Sequence, residues 1–218
     1  IGDYQVSFSA NDSVGNANTS TQTNFTIRDG TSPVIQSLNI SPQTMTYGQN
    51  FTITANVTDN LGVDNVSVEI NGYNYTLPLL AGTIYEREFN STLWSAGFYT
   101  VVATANDTYN NYAVPVISNF TINPASSTLH LYLDGVEDNR SVNEDTPFNV
   151  TADLTDPLLG EPVQLYINGA LGGNASQTVT NISNYQPGSY NITAVYIGNI
   201  NYTGSTITLW LTVNDSTN

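Results

Sequence analysis

The segment Asn50-Phe51-Thr52-Ile53-Thr54-Ala55-Asn56-Val57-Thr58 alternates polar and apolar residues without interruption. Successive side chains of a β-strand point to opposite faces of the sheet. The alternation therefore predicts a strand that turns its four apolar side chains toward a protein core. Its asparagines and threonines would then lie on the solvent face.

The same segment contains two Asn-x-Ser/Thr tripeptides (sequons), the acceptor sequence for N-linked glycosylation. The chain has eighteen sequons, whereas its 29 asparagines and 48 serines and threonines would give roughly 6 by chance. Because Asn and Thr are two residues apart, a sequon fits the outer face of a strand with its middle residue turned inward. We therefore predict a heavily N-glycosylated β-protein. The predicted acceptors are Asn11, Asn18, Asn24, Asn39, Asn50, Asn56, Asn65, Asn74, Asn90, Asn106, Asn119, Asn139, Asn149, Asn174, Asn181, Asn191, Asn201 and Asn214.

Occupancy of these sequons need not be complete. The tripeptide is necessary for glycosylation but not sufficient, and Asn-x-Thr also suits strands through β-propensity alone. We expect crowded neighbours, such as Asn18 and Asn24 or Asn174 and Asn181, not all to be modified.

The composition favours a protein outside the cell. Charged residues make up only 10% of the chain, against about 25% in ordinary globular domains. Lysine is absent, and the net charge of −15 argues against binding to nucleic acid or to an anionic membrane. With no cysteine, the chain has no disulfide, thiol nucleophile or zinc–thiolate site. This stretch contains no signal peptide, transmembrane run or anchor motif, so we expect that such elements were cleaved off or lie outside it, and that the stretch itself does not insert into a membrane.

One motif occurs three times in the chain. The segments Gly2–Asp12, Gly97–Asp107 and Gly188–Tyr196 each begin with Gly-x-Tyr and continue as an alternating strand. Each is followed by a turn rich in asparagine and glycine and then by a last strand. This order predicts an antiparallel hairpin that closes each unit.

Turn signals recur every 8 to 12 residues and no helical period competes with them, which is typical of a β-sandwich. We predict a closing hairpin of an incomplete domain over residues 1–28 and sandwiches over 33–122 and 126–213. The short linkers between them predict a stiff string of domains. The predicted strands are 34–41, 50–58, 63–71, 73–80, 83–93, 97–107 and 112–122, then 127–134, 147–155, 162–168, 175–182, 188–197 and 205–213.

Residues 97–122 resemble the closing hairpin of prokaryotic Ig-like surface repeats, in which a Gly-x-Tyr strand runs into an Asp-x-x-Gly-Asn turn. The chain keeps that turn at residues 12–16 but has Asn110 in place of the glycine in the second copy. Residues 147–213 resemble bacterial Ig-like family 3 type repeats through the segment 187–206. The lysine-free, sequon-dense composition is similar to archaeal surface-layer and extracellular filament glycoproteins. The resemblance implies an all-β fold of tandem Ig-like β-sandwich domains.

The repeated tyrosines, Tyr4, Tyr99 and Tyr190, lie near the start of the predicted penultimate strand of each unit. There a tyrosine ring can pack on the edge of the core while its hydroxyl bonds nearby backbone, which resembles the tyrosine corner of immunoglobulin sandwiches. The alternative is a tyrosine chosen only for a half-buried strand.

Residues 1–28 supply only two strands, and a lone hairpin is marginal in water. The chain could be a piece of a longer repeat protein whose earlier strands precede it. Alternatively, the hairpin could complete a neighbouring subunit by strand addition. The expected partners are therefore neighbouring repeat domains or other copies of the chain.

Catalytic chemistry has few candidates in this sequence. His130 is the only histidine, and the alternation of its strand places it on the polar face. Glu86 and Glu88 flank Arg87, which is the pattern of charges on an exposed strand. No nucleophile elbow, phosphate loop or metalloprotease helix occurs. We expect a protein that is not an enzyme, with no catalytic residue and no cofactor beyond N-linked glycans.

Calcium binding is an open question, because carboxylates supply the hard oxygen ligands that calcium prefers. One acidic group lies near the start of the last domain, and Asp59, Asn60 and Asp64 form a second in a loop. Neither has the spacing of a dedicated calcium loop, so solvated acidic turns are the alternative. The candidates of the first group are Asp134, Glu137, Asp138, Glu144 and Asp145.

These observations favour a structural glycoprotein, part of a cell-surface filament, stalk or surface layer joined by strand pairing or domain packing. The alternative is an adhesin or a carbohydrate-binding module of a secreted protein, with cell-surface glycans as partners. Aromatic side chains could then stack on sugars, although Trp94 also fits a core position at the end of a strand. The aromatic candidates are Trp94, Tyr73, Tyr75 and Tyr85.

Overall fold

A computed structural model describes residues 1–144 and 146–216, with the side chains of residues 19–21 left aside. Contacts divide the chain into two compact units. One contains Ile1–Gln43, Asn50–Phe89 and Phe98–Phe120, and the other contains Thr44–Gln49, Asn90–Gly97 and the chain from Thr121 onward. The predicted domain boundaries stay a prediction.

The strands are β1 (Gly2–Asn11), β2 (Ala17–Ile27), β3 (Val34–Ser41), β4 (Thr44–Thr46), β5 (Asn50–Thr58), β6 (Val63–Ile70), β7 (Tyr73–Thr76), β8 (Leu79–Ala81), β9 (Ile84–Asn90), β10 (Gly97–Asp107), β11 (Val116–Asn123), β12 (Thr128–Leu133), β13 (Arg140–Asn143), β14 (Phe148–Asp156), β15 (Pro162–Ile167), β16 (Ala170–Ser176), β17 (Thr178–Ser183), β18 (Gly188–Gly198) and β19 (Thr203–Asn214). A 3₁₀ turn covers Ser91–Leu93. Over the described residues, no helix is long and apolar enough to cross a membrane.

Strands β1 and β2 form a two-stranded antiparallel sheet, the N-terminal hairpin, with Tyr4 opposite Phe25. Its turn is built around Asp12, whose Oδ1 accepts hydrogen bonds from the backbone N–H groups of Val14 (3.0 Å) and Asn16 (2.8 Å). An aspartate that bonds the backbone two residues ahead is a turn-forming device. The hairpin predicted for this segment is therefore present.

Strands β3 to β11 form two sheets with the orders β3-β5-β9-β8 and β4-β11-β10-β6-β7. The sheets face each other, since the ring of Phe51 on β5 lies 4.8 Å from that of Phe120 on β11. Strand β4 runs parallel to β11, whereas β3 pairs with β5 in the other sheet. This exchange of the first strand between sheets is the arrangement of an Ig-like sandwich. We call these nine strands the first sandwich.

The core of the first sandwich follows the alternation in its sequence. On β5 the four apolar residues from Phe51 to Val57 are buried and the polar residues between them are not, as predicted. Strand β10 repeats the pattern from Val101 to Ala105. Burial of each valine, isoleucine or phenylalanine among them stabilises the fold by about 1.5–3 kcal/mol, which decides the face of each strand that turns inward.

Strands β12 to β19 form a second sandwich with sheets β12-β14-β17 and β13-β19-β18-β15-β16. Strand β13 pairs in parallel with β19, so the first strand is again divided between the two sheets. Its core contains Leu131, Val150, Leu165 and Ile192, none of which is measurably exposed. The prediction of an all-β fold with tandem Ig-like sandwiches is confirmed.

Several strand bounds differ from the predicted ones. The predicted strand 73–80 is two strands, β7 and β8, separated at Leu77 and Pro78. The predicted strand 175–182 combines the end of β16 with β17, which are separated at Gln177 where φ is +67°. The short parallel strands β4 and β13 were not predicted.

Candidate functional site

The sequon asparagines all lie outside the core. Of the eighteen, none is buried. Ten are exposed, namely Asn11, Asn18, Asn24, Asn39, Asn50, Asn74, Asn119, Asn139, Asn174 and Asn214. The other eight are half-buried, namely Asn56, Asn65, Asn90, Asn106, Asn149, Asn181, Asn191 and Asn201.

The middle residues of the sequons differ from the asparagines, because nine of those that the structure describes are buried. Phe25 in the N-terminal hairpin and Ile182 on β17 are exposed instead. Where the middle residue is buried, the acceptor asparagine is held on the opposite face of the strand, toward solvent. The buried middle residues are Ile40, Phe51, Val57, Val66, Ser91, Asp107, Phe120, Val150 and Ile192.

Some acceptor amides are engaged in the fold. The Nδ2 of Asn90 donates to the carbonyl oxygen of Gly48 at 3.2 Å, and that of Asn181 to the carbonyl oxygen of Gly172 at 3.0 Å. Asn106 donates through Nδ2 to the carbonyl oxygen of Asp107 at 3.0 Å. Since N-linked sugars attach to Nδ2, glycosylation of these three asparagines competes with a hydrogen bond to the backbone. At the exposed Asn50 and Asn214 the acceptor of the Nδ2 hydrogen bond is a side chain instead, Glu88 Oε1 or Ser141 Oγ, both at 3.0 Å.

The N-terminal hairpin has an apolar face that the described residues leave open. Tyr4 is 42% exposed, Phe8 55% and Phe25 47%. On the corresponding hairpin β10–β11 the same alternating positions are core residues, with Val101 and Phe120 at 0%. The motif is thus repeated, but its core-facing side is covered in the first sandwich and uncovered in the hairpin.

The three repeated tyrosines differ in environment. The hydroxyl of Tyr190 donates to the carbonyl oxygen of Gln186 at 2.8 Å, which is the bond predicted for a tyrosine corner. The ring of Tyr99 stacks on Phe120 with centroids 5.3 Å apart, and burial raises the pKa of its hydroxyl. Tyr4 stacks on Phe25 at 5.3 Å, on the open face of the hairpin.

The aromatic residues considered for sugar stacking are not equally accessible. Trp94 is 7% exposed, so it is the core residue that the alternative interpretation described. Tyr73 is exposed, whereas burial raises the pKa of the Tyr85 hydroxyl. Tyr75 packs edge-on against Phe89, with the guanidinium carbon of Arg87 5.5 Å from its ring centre.

His130 lies half-buried on β12, where its Nδ1 is 2.9 Å from Oε1 of Glu137 and its ring stacks on Tyr132. On β9 the two glutamates bond side chains of the neighbouring strand β5. Glu86 accepts from Thr54 Oγ1 and Glu88 from Asn50 Nδ2, both at 3.0 Å. These contacts place the charges on an outer strand face.

The calcium candidates of the second sandwich are dispersed among other contacts. Glu137 bonds His130, Asp138 accepts from the backbone N–H of Asn139, and Glu144 accepts from that of Ser216. Asp134 is exposed, and Asp145 lies outside the described residues. Within the described part of the chain these carboxylates do not converge, and calcium binding there stays a prediction.

A different acidic group does converge. Asp29, Asp59 and Asp107 each offer a carboxylate oxygen, and the three oxygens lie within 4.8 Å of one another. Asp29 follows β2, Asp59 begins the β5–β6 loop and Asp107 ends β10. From the sequence, Asp59 was predicted to belong to a calcium cluster with Asn60 and Asp64, because only residues close together in the chain could be recognised as a group.

The turn around Asp107 repeats the one around Asp12. Oδ1 of Asp107 accepts from the backbone N–H groups of Tyr109 and Asn111, both at 2.8 Å, and Oδ2 from Nδ2 of Asn111 at 2.7 Å. Burial acts to raise the pKa of Asp107, but the hydrogen bonds from Asn111 and Tyr109 outweigh it. The pKa is consequently below its ordinary value of 3.8. In the exposed turn, the bonds from Asn16 lower the pKa of Asp12 in the same way.

No family model matches the chain, and no curated protein is similar to it at a significant level. Among solved structures, the fibronectin(III)-like modules of Clostridium thermocellum CbhA align at 14% identity, covering 83% of this chain and 95% of theirs, with a TM-score of 0.33. The titin domains Z1Z2 in complex with telethonin align at 16% identity, covering 87% and 100%, with a TM-score of 0.49. The adhesin InvE of Yersinia pseudotuberculosis aligns at 13%, covering 80% and 58%, with a TM-score of 0.39. The Ig-like fold of the chain therefore rests on its own strand order.

Proposed function

We propose that this chain is a structural, heavily N-glycosylated protein of the cell surface, part of an extracellular filament, stalk or surface layer. Its sandwiches act as stiff spacers that extend from the cell, and its sequons carry a coat of glycans. Strand pairing or domain packing joins one unit to the next. The role is mechanical and involves no catalysis. Its partners are other copies of the chain or neighbouring repeat domains.

The observation that carries this proposal is the placement of the sequons. None of the eighteen acceptor asparagines is buried, although nine of the middle residues between Asn and Ser or Thr are buried, seven of them in the hydrophobic core. A composition rich in Asn and Thr would not by itself align acceptors with the outer faces of strands. The pattern supports an oligosaccharide coat that was selected together with the core.

The edges of the sheets give further support. An uncovered edge strand presents unpaired N–H and C=O groups and invites aggregation. In the two sandwiches, four of the eight edge strands of the described sheets carry a sequon, namely β3 with Asn39, β7 with Asn74, β16 with Asn174 and β17 with Asn181. Glycans at these positions would shield edges on a surface that has few charges to keep it soluble.

Assembly through the N-terminal hairpin is supported by its open apolar face. Tyr4, Phe8 and Phe25 are about half exposed, whereas the corresponding face of β10–β11 is covered by an opposing sheet. A sheet from a neighbouring copy or repeat domain would cover the hairpin in the same way. Association of this kind gains its stability from apolar burial and from backbone pairing.

The test is the mass of natively purified protein before and after chemical deglycosylation, together with electron microscopy of the untreated material. We expect a large loss of mass and a polymer or long rod. A mass near 23.5 kDa after deglycosylation would mean that a neighbouring copy covers the hairpin. A larger mass after deglycosylation would point to a longer repeat protein. A compact monomer whose mass does not change would contradict the proposal.

A further inference from the structure

Three aspartates from distant parts of the chain meet beside the N-terminal hairpin, and the geometry points to a metal site there. We propose that Asp29, Asp59 and Asp107 bind a calcium ion. Their ligand oxygens lie within 4.8 Å of one another. Carboxylate oxygens are the hard ligands that calcium prefers.

Each carboxylate of the site is oriented by hydrogen bonds from its own loop. Oδ1 of Asp29 accepts from the backbone N–H of Thr31 at 3.0 Å. Oδ2 of Asp59 accepts from those of Leu61 (2.8 Å) and Gly62 (2.9 Å). Asp107 is held by the backbone of its own turn, as described above. The backbone therefore fixes the direction of all three side chains before any ligand binds, which favours tight binding.

A second observation supports a bound ion: in two of these carboxylates, the other oxygen has no partner in the described part of the chain. Oδ2 of Asp29 and Oδ1 of Asp59 are both buried from solvent, and among the described residues neither has a hydrogen-bond partner. A buried carboxylate oxygen without a partner is costly. Two of them in one cluster indicate that a ligand outside the polypeptide satisfies both.

The charge balance points to a cation. Asp107 is 1% exposed and the other two aspartates are half-buried, so solvent screens their mutual repulsion poorly. None of the three arginines forms an ion pair with them in the described part of the chain. A bound divalent cation would convert three repelling carboxylates into three ligands.

Calcium fits the site better than magnesium does. Calcium accepts six to eight oxygens in flexible geometry, whereas magnesium demands a near-ideal octahedron. Three carboxylates from three separate loops leave room for water in the remaining positions. The ion would join the segment after β2 to the β5–β6 loop and to the turn after β10. Calcium would therefore stiffen the connection between the hairpin and the first sandwich.

The chain contains its own control for this site. Asp12 has the same turn geometry as Asp107, with Asn16 in the place of Asn111. It belongs to no group of three convergent carboxylates among the described residues. Asp12→Asn should therefore alter a turn of the same geometry as the Asp107 turn without changing calcium binding.

The experiment is titration calorimetry of the purified, chelator-treated protein with calcium chloride alone, combined with thermal melts in calcium and in chelator. The variants are Asp59→Asn, Asp107→Asn and Asp12→Asn, none of which creates or removes a sequon. Asn at position 59 keeps a carbonyl oxygen for the N–H groups of Leu61 and Gly62. It replaces the oxygen that faces the cluster with an NH₂ group.

We expect one calcium per chain with a dissociation constant of about 10⁻⁴ to 10⁻³ M, the range of extracellular modules. Calcium should raise the melting temperature of the wild type and of Asp12→Asn. Asp59→Asn and Asp107→Asn should bind at least about tenfold more weakly, the factor that 1.4 kcal/mol represents. In chelator, Asp59→Asn should melt no lower than the wild type, because one repelling charge is gone.

Two results would overturn the proposal. One is a wild type that neither binds nor is stabilised by calcium up to millimolar concentrations. The other is calcium binding that survives unchanged in Asp59→Asn and Asp107→Asn. Equal stabilisation by magnesium would overturn the choice of calcium.

Discussion

The hydroxyl of Tyr190 donates a hydrogen bond of 2.8 Å to the carbonyl oxygen of Gln186, four residues earlier in the chain. The bond ties the start of β18 to the segment that leads into it. Tyr190 also packs edge-on against Tyr185, with ring centroids 5.0 Å apart. The corner of the second sandwich is thus held by one aromatic contact and one hydrogen bond.

Removing this hydroxyl should destabilise the second sandwich. Tyr190→Phe keeps the ring but leaves the Gln186 carbonyl without its donor, so the free energy of unfolding should fall by about 1 kcal/mol. Tyr4→Phe changes the same position of the motif in the hairpin and is the matched control. Chemical denaturation measures both variants, and an equal effect of the two would contradict a specific role of the Tyr190 bond.

The contact between Phe51 and Phe120 should dominate the first sandwich. Phe120→Ala removes a fully buried ring that packs 4.8 Å from Phe51, and the cavity should cost about 3–5 kcal/mol of unfolding free energy. Phe98→Ala, at an exposed position of β10, should stay within about 0.5 kcal/mol. Denaturant titration followed by circular dichroism distinguishes the two. Similar losses for both would contradict the assignment of the core.

Glycan occupancy should follow exposure of the acceptor amide. Asn39 and Asn74 are exposed on edge strands, whereas Asn90 and Asn181 donate through Nδ2 to backbone carbonyls. Site mapping by mass spectrometry should find the first pair occupied more fully than the second. Asn39→Gln should remove the mass of one glycan. Full occupancy at Asn90 and Asn181 with none at Asn39 would contradict this order.

Acid should weaken the turn that Asp107 holds. Hydrogen bonds lower its pKa in the folded state, so the unfolded chain takes up a proton first as pH falls. The stabilisation is fully present above the ordinary pKa of 3.8 and is lost as pH falls below it through the folded value. Melting temperatures in chelator should therefore show a deficit of Asp107→Asn at neutral pH that shrinks below pH 3.8. A deficit that does not change with pH would contradict this explanation.

Assembly should depend on the open face of the hairpin. Phe8→Thr keeps a residue suited to strands but removes the most exposed aromatic ring of that face, so polymers or rods should become shorter or disappear. Phe98→Thr removes a ring that is at least as exposed (66%, against 55% for Phe8) from a different sheet and is the control. Electron microscopy and size-exclusion chromatography report the result. Polymers that persist in Phe8→Thr would place the contact elsewhere.

The strands that could be predicted from the sequence are those in which polar and apolar residues alternate. In β5 polar and apolar residues alternate without interruption, and along β10 burial alternates in the same way. The predicted bounds of both strands agree with the structure. The parallel strands β4 and β13 escaped prediction, since three or four residues are too few to show a period. Residues 170–174 of strand β16 were not predicted, because Gly172 and Gly173 break its alternation.

The sequence by itself determined the all-β class, the repeated hairpin and the outward placement of the acceptor asparagines. These features depend on near neighbours in the chain, where the two-residue period couples each asparagine to a core position. Only the tertiary structure decided the grouping of Asp29, Asp59 and Asp107, which come from three separate loops. It also decided that Trp94 is buried and that the hairpin's apolar face is open. Contacts between residues far apart in sequence depend on how strands pair and sheets pack, and no local pattern encodes them.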